Sequence, residues 1–151
     1  MPRIAVLADI HYSPNPTPAE SERQADLAAI LLQRAIWRLN REIRPDVTVV
    51  LGDLINLQPG QSKQDWLRQI QSLLRRLESP CITIPGNHDG PYSDFTSVFG
   101  EPPEWVDAAG IRFLPFLDVQ EPGYNSRRTL ADLERFARAR QAWAGPMVSL
   151  Q

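Results

Sequence analysis

At 151 residues, 42% hydrophobic and 23% charged, with a formal net charge of −2, the chain has the size and composition of one globular domain with a real core. The mildly acidic balance with scattered arginines gives no nucleic-acid signature, no apolar run is long enough to span a bilayer, and the single cysteine, Cys81, excludes an internal disulfide. The start, Met1-Pro2-Arg3-Ile4, leads straight into a strand without signal-peptide character, so a cytoplasmic setting is expected.

The first predicted strand, Ile4–Ala8, is apolar on both faces, as in a parallel sheet covered on two sides, and ends in Asp9-Ile10-His11. A proline-rich loop runs to Pro18. Thr17 with Glu20 three residues on predicts a capping box, with Pro18 at the favoured first helical position. Leu27, Leu31, Ala35, Leu39 and Ile43, flanked by Ile30 and Leu32, predict an amphipathic helix facing a sheet, with Trp37 in the core or at its rim. Pro45-Asp46 stops it, and Val47–Leu51 is the most β-prone run in the chain. Gly52 allows a sharp turn that presents Asp53, whose two oxygens have lone pairs enough for two cations. Asn56 and Asp65 are nearby alternatives, although helix capping suits Asp65 better. A second helix is expected over Gln61–Leu77, with Trp66, Ile70, Leu73, Leu74 and Leu77 on one stripe and Arg68, Arg75 and Arg76 on a solvated face. The third strand, Cys81–Ile84, with Cys81 as plain packing, runs into Pro85-Gly86-Asn87-His88-Asp89-Gly90.

Taken singly, these strand-end runs are ordinary turns. Taken together, they share a place: parallel strands with helical crossovers gather their ends at one edge, where ligands bind. Asp9, His11, Asp53, Asn87 and His88 should therefore converge. Oxygen and imidazole donors without a thiolate suit a hard or borderline divalent metal, so a phosphate-handling metal site is the reading they support. Asp89 is placed to hold the His88 imidazole oriented and charged for work on a leaving group.

Asp9-Ile10-His11, Gly52-Asp53 and Gly86-Asn87-His88-Asp89, in that order and each after a strand, resemble the motifs of the calcineurin-like metallophosphoesterase family, over about Ile4 to Gly90. The resemblance implies an α/β fold, part of an α/β/β/α sandwich, here mostly its N-terminal sheet with flanking helices. It implies a two-metal centre that hydrolyses phosphate mono- or diesters of a small phosphorylated substrate. Asp9, His11 and Asp53 would hold the first divalent ion, and Asp53 would bridge to a second that Asn87 also binds. His88, with Asp89 beside it, would be the catalytic group that protonates the leaving oxygen or steadies the transferring phosphoryl. Mn, Fe, Zn, Co and Ni are all open as the metals.

Downstream, a short helix is expected over Phe95–Gly100 and a strand over Ile111–Asp118. A third long helix, Arg128–Ala142, would present Leu130, Leu133, Phe136, Ala137 and Arg140, and Met147–Gln151 begins another strand. Asp94, Asp107, Asp118 and Glu121 are read as solvated loop residues. The resemblance implies further histidines, one after a later strand and two in a Gly-His-x-His run, yet the only histidines are His11 and His88. The expectation is one domain over residues 1–151, C-terminally truncated and of low or no activity. The alternative is a non-catalytic half-domain used as an assembly or binding module. A flavodoxin-like receiver would use the same carboxylates but leaves Asn87-His88 unexplained. The uncovered sheet face predicts a homo-oligomer, most simply a two-fold dimer.

Overall fold

In this structure, a computed structural model that describes residues 1–17, 24–57, 63–117, 119–121, 125–141 and 143–151, three parallel strands form the first sheet. They are β1 (Ile4–Leu7), β2 (Val47–Leu51) and β3 (Cys81–Ile84), in the order β1-β2-β3. Sequential parallel neighbours joined by right-handed crossovers put both connections on one face. That face carries α1 (Ala28–Arg38, prolonged by a π-helical turn over Leu39–Ile43), α2 (Gln64–Leu74) and α3 (Tyr92–Phe99). Against the other face lies a second sheet of β4 (Val106–Ala108), β5 (Ile111–Pro115) and β8 (Met147–Leu150). In it β4 is antiparallel and β8 parallel to β5. A ribbon of β6 (Val119–Glu121) and β7 (Asn125–Arg127) leads to α4 (Leu130–Gln141), which covers the far side of the second sheet.

The core follows from β2, which is buried on both faces as a run of four apolar residues around one threonine, Thr48, leads one to expect. Val50 packs with Leu32, Ile36, Leu67, Ile70 and Leu74 under the helices. Val47 and Val49 pack with Ile82 and Ile84 against Ile111, Phe113 and Leu150 of the second sheet. The layers are thus helix, sheet, sheet, helix. The stripe expected on α2 is the one that packs: Ile70 and Leu74 are buried, and Trp66, Leu73 and Leu77 flank them.

Two helices turn other faces inward than their patterns predict. On α1 the buried residues are Ala28, Leu32 and Ile36, and of the expected stripe Leu39 is buried in the π-helical turn and Ala35 half-buried, whereas Leu27, Leu31 and Ile43 are exposed. Both stripes are apolar, so the pattern alone does not choose between them. The helix begins only at Ala28; Pro18 and Glu20 of the expected cap, like Gln61 ahead of α2, lie outside the described residues. On α4 Leu130, Leu133 and Phe136 are exposed, and Ala139 is the buried residue. Arg135 fixes this orientation: its Nη2 donates to the Pro115 carbonyl at 2.6 Å, and its guanidinium lies 4.3 Å from the Phe116 ring centre.

Smaller expectations also change. The strand after Ile111 stops at Pro115, and Asp118 and Ala142 lie outside the described residues. Cys81 is exposed on β3, an edge strand, and is not packed inside. Asp94 is buried and accepts from Gln64 Nε2 at 3.0 Å. Asp107 takes a bidentate pair of 2.7 Å bonds from Arg112, which hold its carboxyl below the ordinary range. The backbone of Glu121 belongs to β6.

Candidate metal centre

The connections that leave β1, β2 and β3 are stitched together by main-chain bonds. The His11 N–H donates to the Asp53 carbonyl at 2.8 Å, Tyr12 to Leu54 at 3.0 Å, Asn56 to Tyr12 at 3.1 Å and Leu57 to His88 at 3.1 Å. The turns are so tight that Asp9, His11 and Asp53 all have positive φ, at 55°, 49° and 50°. Such a backbone is strained for L-residues, and Asp and His are among the few that tolerate it. Gly52, at φ 76°, abuts the next connection: a Cβ there would fall 2.6 Å from Gly86 Cα. A Cβ on Gly86 would fall 2.9 Å from Asp53 Cγ and closer still to its Oδ1 and backbone nitrogen. The two connections therefore approach more closely than a methyl group permits.

This framework brings donor atoms of Asp9, His11 and Asp53 within 4.8 Å of one another. His11 Nε2 lies 3.6 Å from Asp9 Oδ1 and 3.7 Å from Asp53 Oδ2, too far for good hydrogen bonds. Donors around one ion at about 2.0–2.2 Å stand roughly 3–3.5 Å apart, so a small divalent cation fits with little adjustment. Asp9 is open to solvent, while the His11 and Asp53 side chains are mostly covered.

Asn56 prepares the imidazole. Its Oδ1 lies 3.3 Å from His11 Nδ1, and a carbonyl oxygen can only accept, so this contact puts a proton on Nδ1 and leaves Nε2, which faces the carboxylates, as the ring atom that could meet a metal. Asn56, weighed from sequence as a ligand, thus stands behind one. The signal was its isolation as a polar residue within Leu54-Ile55-Asn56-Leu57, since a buried amide needs partners. Asp65 is elsewhere, exposed in the first turn of α2 and paired with Arg68 at 2.7 Å, with no capping bond at that helix start.

His88 completes the cluster from the third connection. Its backbone N–H donates to Asp53 Oδ1 at 3.0 Å, and its ring meets the His11 ring edge-on, with centres 5.0 Å apart. Asn87, beside it, is exposed and its side chain makes no hydrogen bond among the described residues. Asp89 is almost fully buried and faces the backbone: Oδ2 accepts the Gly86 N–H at 2.8 Å and Oδ1 the Ile55 N–H at 3.0 Å. Burial pushes its carboxyl up to about 6, opposed by the Gly86 and Ile55 amides and assisted by the charge of Asp53. Among the described residues its hydrogen bonds tie two connections together, and none goes to the His88 ring.

Fold and cluster together define an α/β sandwich with a cluster that could hold a divalent metal at the ends of its first sheet. The family model for calcineurin-like phosphoesterases matches residues 2–143 of the 151, and the chain belongs to that family. Its members are hydrolases that act on phosphorylated substrates and typically bind divalent metals, in keeping with the Asp-His-Asp cluster. A comparison with curated proteins finds no match. Among the described residues no helix is long and apolar enough to cross a membrane.

Proposed function

We propose that this chain is the metal-binding part of a phosphoesterase that hydrolyses small phosphate mono- or diesters in the cytoplasm. Asp9, His11 and Asp53 would hold one divalent cation, and Asp53 and Asn87 would contribute to binding a second. The observation that carries this reading is the convergence of three donors from two connections, with the Asn56 contact on the Nδ1 side of His11 and Nε2 turned toward the carboxylates. Divalent ions such as Mn, Fe, Zn, Co or Ni, when bound there, polarise and clamp a phosphate. The protein groups do the rest. Asp53 keeps its carboxylate in place through the His88 amide, His88 supplies a proton to the leaving oxygen, and Asp89 acts as a positioning residue by fixing the turn that bears Asn87 and His88.

Two side chains, Asp53 and Asn87, make a poor second site. We take these residues as part of the ligand set of the domain, with weak second-metal binding and low activity. A second reading, a half-domain for assembly, is favoured by one specific feature. Ile4 and Val6 on β1 are 38% and 58% exposed, and with Val148 and Leu150 of β8 they line an apolar groove of about 460 Å³ between two strand edges that are unpaired among the described residues. Two copies related by a two-fold axis would cover each other's groove.

The test combines metal analysis with a panel of nitrophenyl and alkyl phosphate esters. One divalent ion per chain and metal-stimulated hydrolysis are expected, with both lost in Asp53→Asn. Stoichiometric metal retained by that variant would overturn the assignment.

A further inference from the structure

The metal cluster lies where β1, β2 and β3 end; a different feature lies where β2 and β3 begin. There the last turns of α1 and the chain after α2 enclose a pocket of about 540 Å³. Arg34, Arg41 and Arg76 line it, and among the described residues no hydrogen bond or ion pair engages their guanidinium groups. Glu78 is the single acid in the lining, so the pocket is cationic in a chain whose net charge is −2. Trp37, 56% exposed, stands between Arg34 and Arg41 on one helix face, and no other ring meets it among the described residues. The wall is rigid. Asn40, within the π-helical turn, donates to the Arg76 carbonyl at 2.8 Å and accepts the Glu78 N–H at 3.1 Å.

The apolar residues that α1 leaves in solvent continue this face. Leu27, Ile30 and Leu31 are exposed one to two turns before the pocket. A partly exposed apolar ridge therefore runs into a pocket whose arginines have no partner among the described residues, around an open tryptophan. Trp and Arg are the side chains that dominate binding energy at protein interfaces, and unpaired guanidinium forks match carboxylates bidentately. Arg34 and Arg41 are seven residues apart, roughly 10 Å along a helix, which matches acidic side chains two turns apart on a partner helix. Single-stranded nucleic acid would use the arginines and Trp37 but would leave the Leu27–Leu31 ridge in water.

We propose that this face docks an acidic amphipathic segment of a partner protein. Its carboxylates meet Arg34, Arg41 and Arg76, and its apolar side chains cover Trp37 and the ridge. The inference is independent of the metal-site reading, because none of these residues belongs to that cluster.

A fluorescent helical peptide with Glu at i and i+7 and Leu at i+3 and i+4 is the probe, read by anisotropy against the whole chain. Binding with Kd on the order of 10–100 μM is expected. A scrambled peptide of equal charge, Trp37→Ala, and the pair Arg34→Glu with Arg41→Glu should each weaken it about tenfold or more, with melting and metal binding unchanged. No binding up to about 1 mM would overturn the proposal. So would equal binding of the scrambled peptide, or tighter binding of an oligothymidylate. Sedimentation showing that Trp37→Ala dissolves a self-associated species would assign the face to a second copy, and likewise overturn it.

Discussion

Replacing Gly86 with alanine tests the architecture of the proposed metal site without touching a proposed ligand. The added Cβ would lie 2.9 Å from Asp53 Cγ and nearer to two other Asp53 atoms. Carbon atoms pack best at about 3.5–4.0 Å, so the two connections must part by roughly 0.5–1 Å. Neither can yield freely, because the Asp53 carbonyl is bound to the His11 N–H and the Gly86 N–H to Asp89. Overpacking of this kind costs about 1–3 kcal/mol, or on the order of 5 °C in Tm for a domain of this size. Ligand distances must hold to about 0.2 Å, so a shift of Asp53 should also weaken the metal by roughly 10–100-fold. Calorimetric titration with Mn²⁺ and melting in a chelator measure the two effects separately. A variant that melts within about 1 °C of the parent and binds with equal affinity would show that the close approach does not constrain Asp53.

Three further outcomes follow from the same geometry. His88→Ala should lower turnover by about 10²–10⁴-fold, more for alkyl than for nitrophenyl esters, and equal losses on both would mean that His88 is not the acid. Asp89 releases its proton near pH 6 when folded but near 3.8 when free, so its contribution is full below 3.8 and lost as pH rises through 6, by about 3 kcal/mol. Urea midpoints in chelator should fall over that window in the parent and run flat in Asp89→Asn, and parallel curves would refute the shift. Val6→Asp should convert a dimer to monomer in sedimentation at micromolar concentration, and a parent that is already monomeric would remove the groove-to-groove pairing.

The strands of the first sheet were legible because β2 and β3 carry their apolar runs intact, and the strand ends announced Asp9, His11, Asp53 and His88 by position alone. The face of α1 was not legible. Leu27 and Leu31 lie on a stripe as apolar as that of Leu32 and Ile36, and periodicity cannot choose between two such stripes. On α4 the orientation rests on a cation over an aromatic ring and a bond to a carbonyl, neither of which a hydrophobic pattern encodes. Asn56 was visible only as a polar residue in an apolar run. Its role depends on Tyr12 pairing with Ile55, a contact between residues far apart in sequence.

The left-handed backbone at residues 9, 11 and 53 bears on how this protein could be engineered. Glycine or asparagine would occupy each position with less strain, on the order of 1 kcal/mol apiece, and would remove a ligand or blunt it. A library of variants screened for heat resistance alone would therefore reward changes at these three codons, as it would at Gln24, Arg44 and Ala109, which share the positive φ. Where it reached residues 9, 11 or 53 it would return hardier proteins stripped of the proposed metal ligands, so any such screen needs metal retention as a second gate.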